Sequence, residues 1–195
     1  STGIRPKELM AQEQTLLRKW LQDNNKALEQ LQLGSNKTYC WFKQTGPTLK
    51  INPHLKEIRD LFFALEARAL MKAENGDINS AINNILTLYK FGTHISTGPK
   101  PLVEKMIGTA AKSISIRTAF NVLDKKMLNA GSIKILENRL KTLAATYDEP
   151  FDIRGEKIYM QEQIETESSN SFYKKHLNGT LEYLDIIAAT TPWKL

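Results

Sequence analysis

A single cysteine, Cys40, stands in a chain of 195 residues, so no disulfide can form within it. No apolar run approaches the roughly 18 residues that a membrane-spanning helix needs. The three histidines, His54, His94 and His176, are far apart, and no pair has the i, i+4 spacing of a zinc-binding His-Glu-x-x-His helix. There is no Gly-x-Ser-x-Gly elbow for a serine nucleophile. No segment alternates apolar and polar residues for long enough to read as a strand, so no sheet is expected. The chain begins Ser1-Thr2-Gly3 without methionine, as a processed chain or a fragment would.

What is present is ordinary globular material. Hydrophobic residues make up 41% and charged residues 25%, enough apolar side chain for a core. The net charge of +6 is unevenly spread. Residues 98–147 carry nine Lys and Arg against three Asp and Glu, while residues 148–195 carry five against nine. One domain over 1–195 is expected, with a possible division into a basic helical core, 1–147, and acidic C-terminal helices, 148–195. The two halves can attract each other within one fold, or the basic middle can meet an anionic partner.

The apolar residues recur at helical spacing almost throughout. Pro6 suits a first helical turn, and Leu9, Leu16, Leu17, Trp20, Leu21, Leu28 and Leu31 describe one long helix ending near Gly34. Residues 34–53 read as a loop in which Tyr39, Cys40, Trp41 and Phe42 turn back onto the helices. Asn52-Pro53 opens a second helix, with Leu55, Ile58, Leu61, Phe62 and Leu65 as its stripe, and Asn75-Gly76 stops it. Asp77 caps a third, carrying Ile78, Ile82, Ile85, Leu86 and Tyr89, and Gly98-Pro99 ends that one. Pro101 starts a fourth, lined by Val103, Met106, Ile107, Ala110, Ile114, Ala119, Phe120 and Leu123. A fifth follows Gly131-Ser132 with Ile133, Leu136, Leu140 and Leu143. A sixth begins near Asp152, and a last stretch holds Tyr173, Leu177, Leu181, Leu184 and Ile187. The expected fold is all-α, with six to seven helices in antiparallel hairpins, either tetratricopeptide-like or an irregular bundle.

The most specific local pattern is helix, Asn75-Gly76-Asp77 turn, helix over 58–97. It resembles one tetratricopeptide-type repeat, with Leu65 and Ala69 on the large-then-small positions of the first helix and Ala81 and Ile85 on those of the second. Arg68 and Lys72 depart from that pattern, which has apolar or aromatic residues there, and Thr93 replaces its closing proline. No second copy follows at about 34-residue spacing. A wider stretch resembles a group of uncharacterised helical bacterial proteins: Ala69-Leu70, Gly76-Asp77, Ala81, Leu86, Leu88, Gly98-Pro99, Leu102-Val103, Ile107-Gly108 and Ala110-Ala111, with Arg154-Gly155-Glu156 further on. That resemblance implies a helical fold and an extracytoplasmic place, periplasmic or secreted, after an N-terminal signal or anchor. It brings no catalytic residues.

Gly108-Thr109-Ala110-Ala111-Lys112-Ser113 is similar to the end of a phosphate loop, but Ala111 stands where a glycine must precede the lysine. Its small residues suit a close helix crossing instead. Glu162, Glu165 and His176 are a conceivable metal set, read more simply as a solvated acidic face. Cys40, among aromatic neighbours, reads as a buried and inert thiol. Asp148, Glu149, Asp152 and Glu156 belong to a turn and a capped helix. Lys100, Lys105, Lys112, Arg117, Lys125, Lys126, Lys134, Arg139 and Lys141 form a scattered basic surface without the interleaved aromatics of a nucleic-acid binder.

The reading points away from an enzyme and from any cofactor or metal, towards a helical scaffold that binds a protein or peptide. Arg68, Lys72 and Tyr89 are the partner-binding residues it names, as exposed or half-exposed side chains. Tyr39, Trp41 and His94 are the pocket residues of a second reading, a small-molecule binder or enzyme with a dispersed site. A nucleic-acid or anionic-surface binder is the third, and oligomeric state stays open.

Overall fold

A computed structural model describes residues 11–38, 54–98, 100–124, 127–147 and 154–166. It is all-helical, with seven helices and no strand among the described residues. They are α1 (Ala11–Asp23), α2 (Asn25–Ser35), α3 (Leu55–Glu74), α4 (Ile78–Ser96), α5 (Leu102–Asp124), α6 (Ala130–Tyr147) and α7 (Arg154–Thr166). Tyr39, Cys40, Trp41, Asn52-Pro53, Pro99, Asp152, His176 and the helix expected over 173–187 lie outside the described residues.

The turn between α3 and α4 is closed from both sides. Gly76 takes φ +80°, which a side chain would strain. Its N–H donates to the Ala73 carbonyl at 3.0 Å, and the Asp77 N–H donates to the Lys72 carbonyl at 2.9 Å, the paired bonds of a Schellman end. Asp77 then caps α4: Oδ1 accepts from the Ser80 N–H at 3.3 Å, and Oδ2 accepts from Lys72 Nζ at 2.9 Å. The Lys72 hydrogen bond and then those from Ser80 hold the Asp77 carboxyl below the usual carboxylate range. A depressed folded value means that this carboxylate supports the fold at neutral pH and loses that contribution as pH falls through it. Lys72→Ala should therefore raise the Asp77 midpoint in a carboxyl NMR titration. An unmoved midpoint would remove Lys72 as the main cause.

α4 is the central helix, packed against α2, α3, α5 and α6. Two apolar clusters lie along it. One joins Leu70, Ile82, Ile85 and Tyr89 to Val122 of α5 and to Leu136 and Leu143 of α6. The other joins Leu28 of α2, Phe62 and Leu65 of α3, and Leu88, Phe91 and Ile95 of α4. The Phe62 and Phe91 rings meet edge to face, with centroids 5.6 Å apart.

The stripes expected for α3 and α4 are buried or half-buried, and α6 buries Leu136 and Leu143 of its stripe while Ile133 is exposed, but two regions differ more. The single helix expected before Gly34 is interrupted at Asn24, whose Nδ2 donates to the Trp20 carbonyl at 2.8 Å. In the first part of that helix, Leu16 and Trp20 face outward, at 67% and 45% exposure. Of the line expected for α5, Ala119 is buried and Val103, Ile107, Ile114 and Leu123 are half-buried against the core, but Met106, Ala110 and Phe120 face outward. Met106 and Phe120 are about 60% exposed, and the buried line is Gly108, Ala111, Ser115, Thr118, Ala119 and Val122. The cause is the crossing with α4. A Cβ on Gly92 would sit 2.6 Å from the Gly108 carbonyl oxygen, and one on Gly108 would strike the Gly92 oxygen. Backbones that close leave room only for small side chains, so the large apolar residues of α5 are displaced to its flanks and outer face. The Gly108–Ser113 run is thus part of a helix crossing. Beyond it, the Ser115 hydroxyl, fully buried, donates to the Ile85 carbonyl at 2.7 Å.

α7 docks on the segment leading into α5. Gly155 lies on the backbone of Lys100, where a Cβ would collide. Glu156 Oε2 accepts from the Leu102 N–H at 2.7 Å, answering one of the open donors at the start of α5. The Arg154-Gly155-Glu156 element therefore meets the Gly98–Leu102 segment in space. No described helix is long and apolar enough to cross a membrane.

Candidate functional site

The charged residues of the basic middle are largely engaged within the protein. Lys105, only 4% exposed, donates to the carbonyls of Gly98 and Ser96 at 2.7 and 3.2 Å, and Lys100 donates to that of His94 at 2.8 Å. Both lysines thus answer the negative end of α4. Beside them, burial pushes the Glu104 carboxyl up, against the opposing charge of Lys100. Arg117 reaches both oxygens of the buried Glu66, at 2.9 and 3.1 Å. Lys141 pairs with Glu137 at 2.6 Å, and Lys112 stands 6.0 Å from the centre of the Tyr89 ring. Lys125 and Lys126 lie outside the described residues.

Tyr89 is buried, at 5% exposure, and belongs to the core cluster with Ile85 and Val122. The half-exposed position expected for it is not observed: the ring lies in the apolar cluster that α3, α4, α5 and α6 share. His94, expected at a pocket, is buried at 8% exposure, with Nε2 3.1 Å from the Ser35 carbonyl. A carbonyl only accepts, so that nitrogen carries the proton and the ring pins the end of α2 to α4. Its intended companions, Tyr39 and Trp41, lie outside the described residues. Among the described residues, no three His, Cys, Asp or Glu side chains stand together as a metal set.

Arg68 and Lys72 are brought together. They lie one turn apart on α3 and line a cavity of about 290 Å³ against the junction of α1 and α2, with Leu21, Gln22, Asn25, Met71 and Asn75. No carboxylate is among those residues. The volume lies just under the roughly 300–1,000 Å³ of clefts that take drug-sized ligands.

A second depression, about 540 Å³, runs between α2, α4 and α6. Its walls are Gln32 and Asn36 from α2, Asn83, Thr87 and Lys90 from α4, and Asn138, Arg139 and Thr142 from α6, over a floor of Leu86 and Leu143. It too is lined by no carboxylate. Lys90 donates to Asn36 Oδ1 at 2.7 Å, and Arg139 donates to Asn83 Oδ1 at 3.3 Å, so each wall is braced across the groove. The Thr87 and Thr142 hydroxyls donate back to the carbonyls of Asn83 and Asn138, at 2.8 and 2.9 Å, which leaves their lone pairs outward. The side-chain amides of Gln32 and Asn138 and the Nδ2 group of Asn83 have no partner among the described residues.

Sequence reasoning named Arg139 only as part of a scattered basic surface and Leu86 and Leu143 as core, and named none of the polar residues from the other wall positions. Three helices far apart in the chain supply them. The one visible signal is the polar line Asn83, Thr87 and Lys90 at i, i+4 and i+7 on a helix otherwise dense in apolar residues.

Comparison with known protein families, with curated proteins and with solved structures yields no match to this chain. What is known of its class therefore comes from fold and surface: an all-α protein with a braced polar groove between three helices.

Proposed function

We propose that this protein is a non-enzymatic helical scaffold that holds an extended polypeptide in the groove between α2, α4 and α6. The observation that carries the reading is the set of amides from three helices around one groove, with hydrogen-bonding capacity left over. A side-chain amide offers one donor group and one acceptor, which matches the alternation of N–H and C=O along a peptide backbone. The apolar floor of Leu86 and Leu143 takes part of a partner side chain. Braces from Lys90 and Arg139 hold the walls in place before binding, which lowers the ordering cost. The internal engagement of Lys100, Lys105, Arg117 and Lys141 speaks against the nucleic-acid reading, because a phosphate backbone needs cations free to displace its counterions.

The test is selection from a random peptide library on the wild-type protein, followed by affinity measurement on Asn83→Ala/Asn138→Ala. Two amide hydrogen bonds at about 0.5–1.5 kcal/mol each amount to a loss of affinity of roughly 5- to 150-fold. A library that yields no groove-dependent binder, or peptides that bind the double variant equally well, would overturn the reading.

A further inference from the structure

The cavity between the α1–α2 junction and α3 has a separate chemistry. Arg68 is half-buried there, and its Nη1 is closed off from solvent with no hydrogen-bond partner among the described residues. No described carboxylate pairs with this guanidinium. A buried N–H of a charged group left unsatisfied is costly, so its retention needs a reason. Two carboxylates of this stretch are committed elsewhere. Glu66 is taken by Arg117, and Asp77 is taken by Lys72 and the Ser80 N–H. On the rim, Glu29 accepts from Asn25 Nδ2 at 2.6 Å. Lys72 stands one turn from Arg68, held to Asp77 at 2.9 Å with further N–H groups to offer. Gln22, Asn25 and Asn75 surround the two cations, while Leu21 and Met71 supply an apolar wall.

We infer that this cavity binds a carboxylate, with Arg68 as its principal donor and Lys72 as supporting charge. The planar fork of a guanidinium matches the two oxygens of a carboxylate. The carboxylate comes either from a free small acid or from a polypeptide, as an acidic side chain or a C-terminus. The chemistry of recognition is the same in each.

The experiment follows the Arg68 Nε–Hε resonance by ¹⁵N NMR, with the peak assigned by its loss in Arg68→Lys. Sodium acetate, the blocked peptide acetyl-Gly-Glu-Gly-amide and acetyl-Gly-Gly-Ala with a free C-terminus are titrated separately, each against sodium chloride at matched ionic strength. A saturable shift with at least one carboxylate, absent with chloride, supports the site, and the tightest of the three identifies the source. Equal shifts with chloride, or no shift with any, would overturn it. Arg68→Met supplies the second readout. In carboxylate-free buffer it should melt no lower than wild type, since it removes an unsatisfied donor. Saturating acetate should raise the wild-type melting temperature and leave that of Arg68→Met where it was. Equal stabilisation of both would also sink the idea. The inference stands apart from the α2–α4–α6 groove: Asn83→Ala/Asn138→Ala should keep the full acetate response.

Discussion

Gly108→Ala should lower the stability of the protein by about 2–3 kcal/mol, although alanine is the better helix former by roughly 1 kcal/mol. The reason is the α4–α5 crossing. A methyl group at Gly108 meets the Gly92 carbonyl oxygen and, at 2.7 and 2.8 Å, the Ser96 N and Cβ. Two of these three atoms are backbone, so no rotamer change relieves the overlap. The helices must move apart, and the buried line from Ala111 to Val122 then loses close packing against α4. For a chain of this size the loss corresponds to a fall in melting temperature of roughly 4–12 °C. Gly34→Ala is the matched control. That glycine lies in α2 with nothing within 4 Å of its would-be Cβ, so the substitution should be neutral or stabilising by a few tenths of a kcal/mol. Thermal melts of the two variants decide the matter: if Gly108→Ala melts at or above wild type, the helices are not as close as described.

The same crossing explains where the sequence could and could not be read. The α3–α4 hairpin is plain in the residues, because Gly76 must take a positive φ and Asp77 must cap, and both requirements are local. α3 and α4 also show their buried stripes, since large apolar residues face large apolar residues there. α5 misleads because it is apolar on both sides. Met106 and Phe120 look like core by spacing, whereas the packed face is made of Gly108, Ala111, Ser115 and Thr118, which carry little hydropathy. Periodicity reports hydrophobic surface, not distance of approach, and a close crossing is selected by smallness. The small residues of Gly108–Ser113 did point to a close crossing, and Ser115 and Thr118 continue that line beyond the run.

The surface residues divide in a similar way. Arg68 and Lys72 stand out because charges on the helix of an apolar hairpin need a destination, and they share a cavity. Tyr89 is ambiguous at the level of sequence, since a tyrosine suits a core and a rim equally, and the packing of neighbouring helices on α4 decides the outcome. Asn83 and Asn138 were out of reach. Each is unremarkable alone, and only the folding of α6 back against α4 sets them around one groove. The Arg117–Glu66 pair, 51 residues apart in sequence, was likewise invisible, although a glutamate among Leu65, Ala67 and Ala69 is a signal that some cation must come to it.

That pair yields an asymmetric double-mutant cycle. The Glu66 side chain is 4% exposed and the Arg117 side chain 40% exposed. Arg117→Met leaves a carboxylate buried between α3 and α5 without its counter-charge, and should cost about 2–3 kcal/mol. Glu66→Met releases a guanidinium that is already partly in water, and should cost about 1 kcal/mol or less. The double variant Glu66→Met/Arg117→Met buries two apolar side chains of similar length, and should lie within about 1 kcal/mol of wild type. Denaturant unfolding of the four proteins measures this directly. Equal losses for the two single variants, or a double variant that loses their sum, would mean that the ion pair is a surface contact of little consequence. The expected order has a bearing on the carboxylate cavity as well. Arg117 neutralises the buried carboxylate of α3 from across the helix interface, while Arg68, two residues further on, points to a different side of α3, so the pair and the cavity are separate. Removing Arg117 should therefore weaken the fold while leaving the acetate response of Arg68 in place under conditions where the variant is folded.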